Sequence, residues 1–460
     1  MMKRTVTPLA LLTLCCASPL LLQAAEAPAE NPPFTAATTT VPARPGTTLE
    51  EFYSAALNYN PSLSIAREMW NINTARKQQA NGDLLPQISA VVNRSDNRRE
   101  TNVDPTSNFT GERFAIQLRQ VLFDWEIFSA RGQAYLQEDM AEAEYYAELA
   151  SVLTDIADRY LVVLQAEDAL RSLQSEQEAM ENQVNQIQRL YDLQQAKITD
   201  LYEGQARIAA IRANLINAES DLTLAREALR ASSGLEVGDI GRLPETITVP
   251  PLEGQLDVWL TRARENNRVL EARTLALQSA NKFIAERRAA HMPQVSLVML
   301  QQETNIGFEN SPLGNDVETR YIGIDLVMPL FSGGKASAGV REAQSMRNIA
   351  EGELRQAQLE VVEQTRTAWL QVRAGESRIE AGRILAESTA TSYEAMQRGF
   401  ELGQVTSVDV LNSLRDQFQA QRDLQQARYD HLRSHLQLRR HAGVLTPEDI
   451  LETSQILNAR

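Results

Sequence analysis

Cysteine is almost missing from this sequence, since its 460 residues contain only Cys15 and Cys16, near the start. Both lie in a segment with the features of a secretory signal: Lys3 and Arg4, then a short apolar stretch, then small residues. We therefore predict a signal peptide at 1–25, whose removal would leave a mature chain without cysteine. Disulfides and cysteine metal sites are then excluded from the mature protein.

Basic patches and aromatic side chains are also scarce. The formal net charge is −15, and lysine and arginine are interspersed with acidic residues, which argues against nucleic acid as a partner. Aromatic residues make up 6% of the chain, and the abundance of Ala, Gln, Glu, Leu and Arg indicates long helices. The sequence also lacks a Gly-rich phosphate loop, a nucleophile motif and a convergent carboxylate pair. We therefore predict no enzymatic activity and no cofactor.

Proline is absent from two long stretches, 106–243 and 330–446. In the first of them apolar residues recur at intervals of three and four, as at Ile156, Tyr160 and Val163. Such a sustained repeat predicts long helices that pack through coiled-coil contacts. A polar break interrupts each stretch, and we expect a pair of long helices in each, at about 126–232 and about 333–443.

The most informative pattern is an internal duplication. Leu49 and Pro86 recur as Leu256 and Pro293, each 207 positions later, and the offset drifts by only two residues along the unit. We therefore predict two copies of one unit rather than a solenoid of short repeats. The expected division is a flexible tail at 26–48, a first repeat at 49–234, a linker at 235–255, a second repeat at 256–445 and a C-terminal tail at 446–460.

Each repeat also contains an alternating segment after its first helices. Ile88, Ala90 and Val92 alternate with polar residues, and the same period predicts β-hairpins at about 86–124 and about 293–331. We expect a polar loop at 94–111 in the first hairpin. Strands of this length can cross a bilayer when tilted, but four strands cannot close a barrel. Either the strands form a soluble sheet, or several chains complete one barrel.

This order of elements, together with several local motifs, resembles the TolC family of outer-membrane channels. The motifs are Leu122-Phe123-Asp124, 328–334 (MPLFSGG), 403–411 (GQVTSVDVL) and Ala427-Arg428-Tyr429. The resemblance implies a mainly α fold with a β-barrel contribution, built from duplicated units of long coiled-coil helices and β-hairpins. It further implies a homotrimer whose 12-stranded outer-membrane barrel is continued by a periplasmic α-helical barrel.

The same resemblance implies a function. The chain would be the outer-membrane exit duct of a tripartite efflux or type I secretion system. It would extend into the periplasm and conduct substrate passively from an inner-membrane pump across the periplasm and the outer membrane. Its partners would be a periplasmic adaptor, an inner-membrane transporter and outer-membrane lipid. Two alternatives stay open from the residues alone, namely a periplasmic coiled-coil adaptor and a scaffold protein without a channel. An adaptor usually has one helical hairpin where this chain has two, and a scaffold leaves the two alternating β-hairpins unexplained.

A periplasmic gate near the helical turns is a further implication of the resemblance. Asp409 matches the first gate aspartate of the family and Asn412 matches the second, so a ring of three Asp409 carboxylates would lie beside three amides. Thr199 and Asp200 match the facing gate positions on the other helix pair. Phe400 and Val405 replace the tyrosine and arginine of the family. We therefore expect fewer polar links at this gate.

Two smaller groups of residues complete the candidates. Aromatic residues at the expected strand ends could form a membrane-interface girdle, although simple packing would also explain them. They are Phe123, Trp125, Tyr321 and Phe331. His431 and His435 stand four apart, a spacing that could hold a metal, with His441 nearby. A third ligand at usable spacing is missing from the sequence, so we predict no metal site.

Overall fold

The structure is a computed structural model that describes residues 46–99, 107–240, 252, 254–305 and 317–458. The expected signal peptide at 1–25 and most of the expected tail at 26–48 lie outside these ranges. The tail nevertheless ends earlier than expected, because Gly46 pairs with Val237 in an isolated parallel bridge and Thr48 caps the first helix. Of the linker at 235–255, the residues from 241 to 251 and residue 253 also lie outside the described ranges.

The helices and strands follow one order in both repeats. The first repeat contains α1 (Leu49–Tyr59), α2 (Pro61–Gly82), β1 (Gln87–Arg99), β2 (Ser107–Phe123), α3 (Trp125–Asp192) and α4 (Ile198–Ser233). The second contains α5 (Leu256–Asn266), α6 (Arg268–Ala289), β3 (Gln294–Thr304), β4 (Val317–Val327), α7 (Lys335–Glu401) and α8 (Ser407–His441). A last helix, α9 (Pro447–Asn458), follows the second repeat.

Helix boundaries are set by the same devices in both repeats. The side chains of Asn60 and Asn267 accept hydrogen bonds from the first backbone N–H groups of α2 and α6, as N-cap residues do. Gly234 adopts a left-handed conformation at the end of α4, and so does Gly443 just after α8. Glycine meets this requirement at the lowest steric cost, so the two helix hairpins begin and end at corresponding positions.

The four strands form one antiparallel sheet in the order β1-β2-β3-β4. Its register places Ile88, Leu118, Met299 and Ile322 in one cross-strand row, so that apolar side chains share a face. Ile88 and Ile322 are 71% and 74% exposed. The apolar face of the sheet is therefore open in the single chain, while residues of the other phase, such as Asp325, lie on the opposite face.

The expected polar loop at 94–111 is wrong in its bounds. The β1–β2 ladder continues through Ser95, which pairs with Gly111, and reaches Arg99, which pairs with Ser107. Backbone hydrogen bonds hold this extension, and they do not require apolar side chains. The described ladder therefore enters the expected loop from both sides, and residues 100–106 lie outside the described ranges.

Helices continue the sheet in the same lateral order as the strands. Helix α2 packs on α3, α3 packs on α6, and α6 packs on α7. Each of these helices is connected along the chain to one strand, in the order α2 to β1, α3 to β2, α6 to β3 and α7 to β4. Farther from the sheet, α3 packs against α4 and α8, and α8 packs against α7. With 68 and 67 residues, α3 and α7 are each about 100 Å long. None of the described helices has an apolar run sufficient for a membrane span.

The largest apolar core joins both repeats at the level of α1. Phe52 of α1 packs on Tyr160 of α3 with a ring separation of 5.9 Å, and Tyr429 of α8 is buried in the same cluster. The expected C-terminal tail at 446–460 is wrong for its described part, because α9 inserts Ile450 and Leu457 into this core. Two apolar residues seven positions apart lie on one helix face, and this short signal is easily overlooked among polar neighbours.

Candidate functional site

Two helix turns meet at the end of the helix pairs remote from the sheet. One joins α3 to α4 at 193–197, and the other joins α7 to α8 at 402–406. Gln194 and Gly403 both have a positive φ, 62° and 73°. In each turn the next N–H group donates to the carbonyl five residues earlier, at 2.8 Å, from Gln195 to Leu190 and from Gln404 to Gly399. Glycine suits this conformation better than glutamine does.

Asp409 caps its own helix. It is the third residue of α8, and one of its carboxylate oxygens accepts hydrogen bonds from the Thr406 hydroxyl at 2.7 Å and from the Thr406 backbone N–H at 3.0 Å. The Thr406 hydroxyl in turn accepts from the Asp409 backbone N–H, which completes a capping box. The hydrogen bonds from Thr406 lower the pKa of the exposed Asp409 carboxyl. Asp409 is therefore an ionised carboxylate held at the tip of the second pair.

Asp200 occupies the corresponding position of α4 but has a different partner. The N-cap residue there is Lys197, whose side chain makes no capping hydrogen bond. One Asp200 oxygen instead accepts a hydrogen bond from the hydroxyl of Ser407 at 2.5 Å, and the other accepts from the hydroxyl of Thr199 at 3.1 Å. The first of these bonds joins the tips of the two helix pairs.

A second polar link lies about one turn farther from the tips. The Asn412 side-chain oxygen accepts a hydrogen bond from Nη2 of Arg207 at 2.9 Å, and Arg207 also pairs with Glu203 at 2.7 Å. Sequence reasoning missed both Arg207 and Ser407. The available signal was the spacing of Arg207, which stands seven residues after Asp200 and therefore on the same face of α4. At least two polar links therefore join the two helix pairs.

Phe400 lies in the last turn of helix α7, and Val405 lies in the connection that follows it. Phe400 and Val405 are half-buried, and the side chain of Val405 lies against Gly399. Below the polar links an apolar cluster joins α3, α4 and α8, including Leu201, Ile211, Leu411 and Leu414. The polar contacts therefore adjoin a packed apolar cluster, and this packing restricts the positions that the two tips can adopt.

The expected aromatic girdle divides into two groups. Phe123 ends β2 and packs edge-to-face on Phe128 at 6.2 Å, Trp125 begins α3, and Phe331 is 90% exposed after β4. Tyr321 instead lies in the middle of β4, and its hydroxyl donates to Asp325 at 3.0 Å on the polar face. Tyr321 therefore does not fit a girdle at the strand ends.

The histidines form a buried contact between α7 and α8. The rings of His431 and His435 lie 6.2 Å apart, and Nδ1 of His431 and Nε2 of His435 have no hydrogen-bond partner. His431 also hydrogen-bonds to the backbone of Val372, and burial lowers its pKa. Burial likewise lowers the pKa of His441, and it lowers the pKa of His435 to about 4. In the described ranges, no group of three or more His, Cys, Asp or Glu residues could hold a metal ion.

Known proteins match both repeats of the chain. The family described as outer membrane efflux protein matches residues 52–235 and 259–444, one segment in each repeat. The chain belongs to this family. Outer membrane protein TolC of Vibrio cholerae serotype O1 is 26% identical over 418 residues, which cover 88% of this chain and 93% of that protein.

Two further comparisons agree with this assignment. The alkaline protease secretion protein AprF of Pseudomonas aeruginosa is 26% identical over 408 residues, covering 86% of this chain and 85% of that protein. The crystal structure of outer membrane protein VceC from Vibrio cholerae shares the fold, with a TM-score of 0.74 at 18% identity, over 86% of this chain and 96% of that one.

Membership of this family confirms the resemblance to TolC and the mainly helical, duplicated fold. The protein is an outer-membrane exit duct for efflux or type I secretion, and it extends into the periplasm. The adaptor and scaffold alternatives are therefore wrong. The family is one of passive channels.

Proposed function

We propose that three copies of this chain form one duct, to which each copy contributes four strands of a 12-stranded barrel. The observation that carries the proposal is the sheet itself, whose outer strands are β1 and β4 in the described part of the chain. Unpaired N–H and C=O groups at such edges cannot face lipid. Pairing β1 of one copy with β4 of the next satisfies both edges at once.

The two faces of the sheet support the same assembly. The row formed by Ile88, Leu118, Met299 and Ile322 is apolar and would face lipid. The polar phase, which contains Arg119 and Asp325, would face a water-filled lumen. Phe123, Trp125 and Phe331 lie near the helical end of the strands and are proposed to anchor that rim at the membrane interface.

The assembly is tested by two measurements on the detergent-purified protein. Native mass spectrometry is expected to give the mass of three mature chains, and planar-bilayer recordings are expected to give discrete conductance steps. A folded, bilayer-inserted protein that conducts no ions would contradict the duct. A monomeric mass together with conductance would contradict the three-chain barrel while leaving the channel in place.

The helix tips are proposed to form the periplasmic gate of this duct. Asp409 would contribute three ionised carboxylates to one ring, with Asn412, Thr199 and Asp200 beside it. Phe400, at the end of α7, and Val405, in the turn that follows, would adjoin the ring. The hydrogen bonds from Thr406 that lower the pKa of Asp409 favour its charged form, which suits a ring that attracts cations. The Ser407–Asp200 and Arg207–Asn412 hydrogen bonds would hold the two helix pairs of one chain together in the closed state.

Charge and capping at Asp409 can be separated by two variants. Asp409→Asn removes the charge, and we expect it to reduce the cation selectivity of the open channel. Thr406→Ala disrupts the same capping box but keeps the carboxylate, so selectivity should be preserved. Equal loss of selectivity in both variants would assign the effect to helix capping, and no loss in either would remove Asp409 from the gate.

The Ser407–Asp200 and Arg207–Asn412 hydrogen bonds lead to a separate prediction about channel opening. Arg207→Ala and Ser407→Ala should each raise the fraction of time that the channel is open, because each removes one contact between the tips. Arg212→Ala is the matched control, since Arg212 pairs with Glu181 inside the first helix pair. An unchanged open fraction in both link variants would mean that these hydrogen bonds do not hold the gate.

Passive conduction requires partners that supply the energy. We infer a periplasmic adaptor and an inner-membrane transporter, and type I protein secretion as the first use, because a relative is named for alkaline protease secretion. The test is co-expression with a type I transporter and its adaptor in cells that lack their own duct. Secretion of the transporter's protein cargo is expected. Restored drug resistance without secretion would assign the protein to small-molecule efflux instead.

A further inference from the structure

We propose that α2 of one copy packs antiparallel on the first third of α7 of the next copy, at the register that brings Ile72 to Met346. This inference rests on the proposed barrel, because joining the sheets edge to edge is what brings these helices side by side. It goes beyond that barrel by naming the helix faces, the register and a charge pair that hold neighbouring copies together.

The position of the two helices follows from the topology. In the described part of the chain, the helix layer has the order α2-α3-α6-α7, which mirrors the strand order β1-β2-β3-β4. Helix α2 leads into β1 through residues 83–86, and α7 leaves β4 through residues 328–334. The outer strand and the outer helix on each side are therefore neighbours, and pairing the strands of two copies brings α2 against α7.

Both helices present an apolar surface that their own chain leaves open. Ile65, Met69 and Ile72 stand at intervals of four and three on α2, so they form one stripe, and they are 62%, 54% and 45% exposed. Met346 and Ile349, three apart on α7, are 45% and 61% exposed. Exposed apolar side chains on the two outer helices are surfaces that the association of neighbouring copies would bury.

The two stripes also lie at similar distances from the ends of their helices that are nearer the sheet. Ile72 is ten residues before Gly82, where α2 ends, and Met346 is eleven residues after Lys335, where α7 begins. At 1.5 Å per residue these positions are about 15 Å and about 17 Å along their helices. Met69 and Ile349 follow at about 20 Å and about 21 Å. Because α2 runs toward the sheet and α7 runs away from it, one antiparallel register aligns both pairs.

That register also aligns opposite charges. Arg76 lies on the same face as Met69 and Ile72, six residues before the end of α2, and Glu342 lies seven residues after the start of α7, four before Met346. Both are exposed, and neither has an ion-pair partner among the described residues of its own chain. The interface therefore has an apolar centre, with an Arg76–Glu342 pair on its side nearer the sheet.

Disulfide trapping tests the register directly, because the mature chain is predicted to contain no cysteine. The variant Ile72→Cys/Met346→Cys is expected to form covalent dimers and trimers when outer membranes are oxidised, since disulfides need Cα atoms within about 7 Å. The matched control is Ile72→Cys/Leu359→Cys. Leu359 is also exposed on α7 but stands about 20 Å farther from the sheet than Met346, so little cross-linking is expected. Each single-cysteine variant is run beside the pairs.

The results of this experiment distinguish failure of the α2–α7 contact from failure of the three-chain barrel. If the protein is trimeric by native mass but Ile72→Cys/Met346→Cys cross-links no more strongly than Ile72→Cys/Leu359→Cys, the helix contact is overturned and the barrel is not. Protein that is not trimeric and does not cross-link overturns both.

A charge exchange provides a second test that does not depend on oxidation. Arg76→Glu alone and Glu342→Arg alone should each lower the temperature at which the trimer dissociates in detergent, because like charges then face each other. The double exchange should restore the dissociation temperature of the parent. A double variant that is no more stable than the single ones would remove this pair from the interface.

Discussion

The two helix pairs come from the same duplicated unit, yet different interactions hold them together. In the first, ion pairs join α3 and α4, with Arg226 at 2.6 Å from Glu167 and Arg212 at 2.9 Å from Glu181. Both pairs also meet closely at a glycine, but an added Cβ atom would stand 2.6 Å from the apolar Val184 at Gly204 in the first pair and 2.7 Å from Nδ1 of His431 at Gly375 in the second. A duplicated backbone can therefore be kept while the chemistry of its helix contacts changes.

The tips also differ at their N-cap residues. Thr406 forms a capping box with Asp409, whereas Lys197 leaves Asp200 without a partner in its own cap. The free carboxylate of Asp200 then accepts the hydrogen bond from Ser407 of the other pair. One carboxylate therefore stabilises its own helix, while its repeat counterpart connects the two helix pairs.

The largest effect is expected at Gly375, where α7 and α8 meet closely. Gly375→Val should lower the free energy of unfolding by about 3 kcal/mol, because an added Cβ atom would stand 2.7 Å from Nδ1 and 3.3 Å from Cβ of the buried His431, so the two helices must shift to make room. Gly352→Val is the control on the same helix, since an added Cβ there meets nothing within 4 Å. Thermal unfolding of both variants checks this, and equal stabilities would mean that the close contact at Gly375 is not needed.

Acid should also affect the second pair more than the first, which contains no histidine among its residues. Burial lowers the pKa of His435 from 6.5 to about 4, so the folded protein binds this proton less readily than the unfolded chain. The stabilisation by neutral His435 is full above pH 6.5 and is lost as the pH falls towards 4, by about 2 kcal/mol at pH 5.

Hydrogen exchange measured at pH 7 and pH 5, corrected for the intrinsic exchange rate, checks this pH dependence. Exchange protection in α7 and α8 should fall more than in α3 and α4, and His435→Gln should reduce the difference. Equal loss of protection in both pairs, unchanged by the substitution, would contradict a role for His435.

The caps at the tips should give a smaller effect. Thr406→Ala should lower the stability of the start of α8 by about 1 kcal/mol, because it removes the capping hydroxyl. Lys197→Thr should create the missing cap on α4 and draw Asp200 away from Ser407. Hydrogen exchange of the first turns of α4 and α8 measures both changes. Protection at α4 that does not rise in Lys197→Thr would show that the N-cap residue does not determine the partner of Asp200.

The smallest effect is expected at the ion pairs of the first helix pair. Arg226→Gln should lower the free energy of unfolding by less than about 1 kcal/mol, because Arg226 is partly exposed and water screens its attraction to Glu167. The difference from the parent should shrink as salt is added. A loss as large as that of Gly375→Val, or one that salt does not change, would mean that the pair acts through packing rather than charge.

Much of the fold could be predicted from the sequence because its signals are local and doubled. The recurrence of Leu49 and Pro86 in the second unit, the alternation around Ile88 and the long proline-free stretches each report backbone periodicity. The bounds of the first hairpin loop and the helix α9 were not predictable in this way. Polar strand residues carry no apolar period, and Ile450 and Leu457 acquire meaning only from the core that they enter.

The candidate site shows the same limit. The resemblance to the family pointed to Asp409, Asn412 and Asp200, but not to their partners. The hydrogen bonds from Ser407 to Asp200 and from Arg207 to Asn412 join residues more than 200 positions apart. Nothing in the spacing of the chain indicates which side chains meet across two helix pairs, because that depends on how the pairs are packed.

The sequence by itself determined the duplicated unit, the alternation of its strands, the long helices and the family, because periodicity and order are properties of the chain alone. Only the tertiary structure decided that Ser407 donates to Asp200, that Arg207 reaches Asn412, and that α2 and α7 lie at the outer edges. These facts depend on lateral neighbours, and neighbours are set by the free energy of packing whole elements together.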